Sequence, residues 1–163
     1  METYEEVVGR ALEVLYPGAL FLTGGNDRQA EELVASTVTT GFYSDLGEAE
    51  PLRWFEDAMA LEFLREQPTP TGGSRGAGRE VGMADHVGQI PRVAAEDLIA
   101  GAAGVPSWAR PGLWLVLLRQ RGYAEAAAAL SMPVQTLREM LAYRTDLLTG
   151  AVRASQRRKS ARA

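Results

Sequence analysis

Apolar residues in the first 67 positions fall at helical intervals in three separate stretches. Val7, Val8, Ala11, Leu12 and Leu15 share one face of a first helix. Pro17 is expected to bend or interrupt it before it resumes over 19–22, and Gly24 with Gly25 stops it. Asn26 reads as an N-cap, with Gln29 three residues on in the capping-box position. Ala30, Leu33, Val34, Thr37, Val38 and Phe42 then mark the inner face of a second helix. Pro51 is a good first residue for a third, predicted to run to about Gln67. Its expected inward residues are Trp54, Ala58 and Leu61, joined by Leu64 or Phe63.

The stretch from Pro68 to Gly78 is rich in Pro, Gly and Ser and reads as a tether extending to about Arg92. It lacks the Gly-Lys-Ser/Thr end that a phosphate-binding loop needs. Beyond it, helices are predicted over 94–103, 111–120, 123–130 and from Pro133 at least to Leu148, with Gly122 ending the second of these. Val134, Leu137, Leu141 and Leu148 mark the buried face of the last. Strand-like alternation is absent from the sequence. The expected fold is all-α, with a three-helix domain at 1–67, a linker at 68–92 and a four-helix domain at 93–163.

Charge sharpens this division. Residues 1–67 hold 14 Asp/Glu and 4 Arg, a balance of −10, whereas residues 68–163 hold 7 Asp/Glu and 13 Lys/Arg, a balance of +6. A basic half can approach phosphate backbones, and an acidic half suits a basic protein surface. No apolar run reaches the ~18 residues that cross a bilayer, and no secretory signal is visible, so a cytoplasmic protein with no membrane partner is expected. Cysteine is absent, which excludes disulfides and thiolate metal sites. The single histidine, His86, lies in the tether, where no base can be held against a nucleophile. We therefore expect no catalytic residue, no metal, no cofactor and no small-molecule substrate.

A short helix, a tight turn at Ser131-Met132-Pro133 and a longer helix follow the helix-turn-helix plan. The first helix must pack closely, which fits the small Ala124, Ala126, Ala127 and Ala128. The second must offer side chains to the major groove, and Gln135, Thr136, Arg138 and Glu139 stand where those contacts fall. Gln can pair with adenine, Arg with guanine, and Glu can accept from cytosine. Arg144 and the following Arg153, Arg157, Arg158, Lys159 and Arg162 are candidates for phosphate contacts.

The run Gly122-Tyr-Ala-Glu-Ala-Ala-Ala-Ala-Leu-Ser-Met-Pro-Val-Gln-Thr-Leu-Arg138 resembles region 4 of the extracytoplasmic-function class of bacterial sigma factors, within the sigma-70 family. There the family pattern is G-x-S/T-Y-A-E-I-A-x-x-L-G-x-P-x-G-T-V-x-S-R-L. Val105-Pro106-Ser-Trp-Ala-Arg110 is similar to the family's LP-x-x-x-R. Tyr16-Pro17 with Leu20 to Gly24, Asp27 to Val34, Pro51 to Trp54 and Ala60 to Arg65 resemble region 2, in family order. The resemblance implies a transcription factor with two partners, the RNA polymerase core (beta-prime clamp helices and beta flap) and promoter DNA; an anti-sigma factor is left open. By position, Glu31, Glu32, Leu33, Val34 and Ala35 would bind polymerase. Phe42, Tyr43, Arg53 and Trp54 would meet the melted −10 strand, where aromatics stack on bases, although Phe42 and Trp54 also fit the core. Gln135, Thr136, Arg138, Glu139, Tyr143 and Arg144 would serve the −35 duplex.

The sequence also departs from the family. Met140, Tyr143 and Thr145 stand where Arg is common, Gln135 replaces a glycine, and Ala35 replaces Gln. Glu56, Asp57, Glu62 and Glu66 stand where basic residues are frequent. Each lost phosphate contact weakens DNA binding, so the alternative is a sigma-like regulator that binds a protein partner, with weak or no DNA binding.

Overall fold

A computed structural model describes residues 2–44, 46, 50–68, 95–142 and 144–162. Among these the regular elements are all helical: α1 Tyr4–Leu22, α2 Asp27–Tyr43, α3 Pro51–Glu66, α4 Ala95–Ala102, α5 Arg110–Leu113, α6 Tyr123–Ala129, α7 Val134–Leu141 and α8 Arg144–Arg162. A short 3₁₀ turn, Ser107–Ala109, precedes α5, and a wide π turn, Trp114–Leu118, continues it. Most of the tether expected at 68–92 lies outside the described residues, as does Tyr143.

Helix α1 begins at a capping box that the hydrophobic pattern did not reveal. Thr3 Oγ accepts from the Glu6 N–H at 3.3 Å, and the Glu6 carboxylate accepts from the Thr3 N–H at 2.8 Å. The expected interruption at Pro17 is corrected: α1 runs through it. Pro17 lies on the exposed side, where the carbonyl it leaves without a donor can meet water. The helix closes at Gly24 and Gly25, with φ of 65° and 88°, values that suit glycine. Gly25 N–H reaches back to the Leu20 carbonyl at 2.8 Å. Asn26 caps α2 as predicted, its side chain accepting from the Gln29 N–H at 3.0 Å.

Three other expectations change. Helix α3 is rotated by about one residue from the predicted face: Phe55, Glu56, Met59, Ala60 and Phe63 are buried, and Trp54, Ala58 and Leu61 are only half-buried. Glu56 turns inward toward two arginines, so its polarity misleads the pattern. The helix over 111–120 does not end at Gly122. Its last turn closes through Arg119 N–H on the Trp114 carbonyl, Gln120 takes φ of 54°, and Gly122 caps α6. The helix expected over 133–148 is two helices, because Ala142 leaves the helical region with ψ of 128° and α8 starts afresh at Arg144.

The two sets of helices, α1–α3 and α4–α8, contribute to one buried cluster. Leu15, Ala19, Leu22, Phe55 and Met59 come from the first set, and Leu113, Trp114, Leu115, Leu137, Leu141 and Leu148 from the second. Residues 113–117 are buried on every side, which fits a stretch that is apolar all round. Arg110 adds a polar tie between the sets. Its Nη1 donates to the Leu22 carbonyl at 2.9 Å, and its Nε donates to Ala102 and Val105 carbonyls. Those carbonyls lie at or just beyond the ends of α1 and α4, where the helix supplies no partner.

Gly18 sets how closely the sets approach. A Cβ there would lie 2.5 Å from Trp114 Cζ2, and Trp114 is 2% exposed with no room to retreat. Gly18→Ala should therefore destabilise the fold by about 1–3 kcal/mol, although helix propensity alone favours alanine by about 1 kcal/mol. The urea midpoint reads the sign, and an increase would contradict this packing.

Candidate nucleic-acid interface

Helices α6 and α7 meet through the turn Leu130-Ser131-Met132-Pro133. The turn satisfies its own backbone: Leu130, Ser131 and Met132 N–H groups donate to Ala126, Ala128 and Ala127 carbonyls at 3.0–3.1 Å. Ser131 has φ of 53°, a left-handed conformation, at the position where the family pattern carries glycine. Only Ala126 and Ala127 of the small alanines pack inward; Ala124 and Ala128 are exposed, which corrects the expectation for those two. Leu137 and Leu141 anchor α7, and Leu137 packs against Gly112 of α5. The opposite edge of α7 presents Gln135, Thr136, Arg138 and Glu139 to solvent. Gln135 Nε2 donates to Glu139 Oε1 at 3.4 Å, and the Arg138 guanidinium lies 5.6 Å from the centre of the Tyr123 ring. That ring steadies a side chain that otherwise points away from the body.

Arg144 is held differently. It stacks on Trp108 at 4.7 Å and donates to the Ala142 carbonyl at 2.8 Å, so it is half-buried at the α7–α8 junction rather than free on the α7 edge.

The second predicted group is only partly assembled. Phe42 and Tyr43 are 63% and 81% exposed at the end of α2, which corrects the inward position expected for Phe42. Their rings pack edge to face at 5.2 Å, and Tyr4 joins them 5.5 Å from Phe42. Tyr4 was not singled out in the sequence; its hydroxyl donates to the Val38 carbonyl at 2.6 Å and ties α1 to α2. Trp54 is half-buried against Phe55. Arg53 is not free, because its guanidinium pairs with Glu125 of α6. In the segment 31–35, Glu31, Glu32 and Ala35 are exposed, whereas Leu33 and Val34 are core residues, which corrects them as candidates for partner contact.

Arg53–Glu125 belongs to a larger ionic cluster between α3 and the α5–α6 segment. Glu56, 3% exposed, accepts from Arg119 at 2.5 Å on one oxygen and from Arg121 at 2.7 Å on the other. Arg121 is itself buried. Its Nη2 also lies 3.3 Å from Asp57 Oδ1, yet that oxygen has no hydrogen bond. Burial, then the negative charge of Glu56, push the Asp57 carboxyl up to about 6; Arg53 opposes and Glu125 adds to the rise. A shallow pocket of about 200 Å³ opens here, lined among others by Glu50, Leu52, Glu56 and Gln120. None of Arg119, Arg121 or Glu125 was a sequence candidate. The only signal was the run of acids in α3 where the family carries bases.

The chain matches no family model, no curated protein and no solved structure.

Asp57 makes the cluster sensitive to pH. A carboxyl raised from 3.8 to about 6 on folding stabilises the fold below the lower value, and that contribution is lost as pH rises through the upper one. Asp57→Asn cannot ionise. Its urea midpoint should match that of the unaltered chain near pH ~4 and exceed it above pH ~7. A difference that does not change with pH would contradict the burial of this carboxyl.

Proposed function

We propose that this chain is a sigma-like transcription factor that brings RNA polymerase to promoters, acting in the cytoplasm without chemistry of its own. The observation that carries the reading is the α7 edge, where Gln135, Thr136, Arg138 and Glu139 point outward from a helix-turn-helix pair anchored by Leu137 and Leu141. Such side chains match the donor and acceptor pattern of the major groove. The exposed Phe42 and Tyr43 suit stacking on melted bases, and exposed Glu31 and Glu32 suit a basic protein partner. Among the described residues no helix is long and apolar enough to cross a membrane.

Promoter engagement would also require movement. The −10 and −35 elements are about 25 base pairs apart, roughly 85 Å at 3.4 Å per base pair. A closed body of this length is roughly 40 Å across. The 28 residues between Glu66 and Ala95 reach at most about 100 Å when extended. Binding both elements therefore means separating α3 from the α5–α6 segment. The buried Glu56 cluster resists that separation, and this favours a second reading: a sigma-like regulator that stays closed and binds a protein partner, with weak or no DNA binding.

Polymerase capture by the immobilised chain, combined with duplex affinity measured against salt, distinguishes the two. A sigma factor shows both capture and a salt-dependent DNA affinity. Arg138→Ala should weaken binding to the preferred duplex about 5- to 150-fold, the equivalent of 1–3 kcal/mol, and leave polymerase capture unchanged. Capture without DNA binding that depends on Arg138 would establish the second reading.

A further inference from the structure

The basic residues from Arg153 to Arg162, candidates for phosphate contacts by sequence, lie on a helix separate from the α7 edge. Helix α8 runs from Arg144 to Arg162, about 28 Å at 1.5 Å per residue. Its inner face is fixed on α4. Leu148 and Val152 are buried, and Val152 Cγ2 would be 2.8 Å from a Cβ added at Gly101. Asp97 of α4 accepts from Ser155 at 3.0 Å and pairs with Lys159 at 2.9 Å, and Glu96 pairs with Lys159 at 3.3 Å. The two acids of α4 are thus used by one lysine and one serine. Arg153, Arg157, Arg158 and Arg162 all remain exposed, with no ion pair to any described residue. They form two pairs, Arg153 with Arg157 and Arg158 with Arg162, each one turn apart, on two exposed flanks of a helix whose only acid is Asp146 in its first turn.

We infer that α8 is a docking face for the phosphate backbone of duplex nucleic acid, with Arg153, Arg157, Arg158 and Arg162 as its contacts. It gives the chain a second DNA surface besides the α7 edge. Charge complementarity favours this occupant over an acidic protein. Protein interfaces need an apolar centre, and the exposed large apolar residue on α8, Leu147, lies in the first turn, away from the arginines. DNA interfaces are polar and strongly positive, and arginine forks pair well with phosphate. The face carries affinity rather than sequence choice, because phosphates hold no base information.

The inference rests on the DNA-binding reading above, and one titration separates their failures. Binding of a labelled duplex is measured as a function of salt for three chains: unaltered, R153Q/R157Q/R158Q/R162Q, and the same four positions changed to Lys. Each phosphate contact contributes about 0.9 to the slope of log affinity against log salt. The Gln variant should lose about 3.6 of that slope, so that between 50 and 200 mM salt its affinity falls roughly 150-fold less than that of the unaltered chain. The Lys variant should keep the slope, and Arg138-dependent discrimination should survive in both. Circular dichroism checks that α8 persists, as exposed and unpaired side chains predict. An unchanged slope in the Gln variant overturns the inference alone. Absence of duplex binding by the unaltered chain overturns the DNA-binding reading as well.

Discussion

Glu56 is the constraint around which the two sets of helices are arranged. A carboxylate that is 3% exposed is tolerable only when its charge is answered, and Arg119 and Arg121 answer it on separate oxygens. The requirement propagates. Turning Glu56 inward sets the rotation of α3, which places Phe55, Met59 and Phe63 in the core and leaves Trp54 half-buried. Bringing both arginines to one carboxylate demands a chain reversal right after the apolar wide turn. There the left-handed Gln120 stands between them.

The same arrangement governs what is displayed. Residues 113–117, from the second set, pack on α1 and α3 and also against α6 and α7, so α6 and α7 are carried on a base that includes α1 and α3. Arg110 completes the junction by supplying donors to carbonyls at the ends of α1 and α4. The exposed edge of α7 is therefore carried on a shared buried core, which would suit the groove reading proposed for it. Arg53 belongs to the opposite side of the balance: its pairing with Glu125 joins the sets and, on the proposed reading, occupies a cation meant for melted DNA. On the proposed reading, closure and promoter engagement compete for the same charges.

Much of this was legible in the sequence, and what was missed shares a cause. Periodicity located α2, α4 and α6 to within a residue or two, and the end of α1 and the starts of α2 and α3 were legible because Gly24, Asn26 and Pro51 act through local backbone chemistry. The outward set on α7 was legible because Leu137 and Leu141 mark the opposite face. The inner face of α3 was not, since a hydrophobic pattern assigns Glu56 to solvent and its partners lie more than 60 residues away. Phe42 went the other way: an aromatic at helical spacing reads as core, yet it falls in the last turn of α2, where it packs on the rings of Tyr4 and Tyr43 and stays exposed. The break at Ala142 carries no glycine or proline, so nothing local announced it.

A double-mutant cycle across Glu56→Gln and Arg121→Gln, read by urea unfolding, tests the central claim most directly. If the buried pair joins the sets, the coupling energy should be at least about 1.5 kcal/mol, above the 0–1 kcal/mol of exposed ion pairs. Single substitutions whose effects add to within about 0.5 kcal/mol would contradict the account.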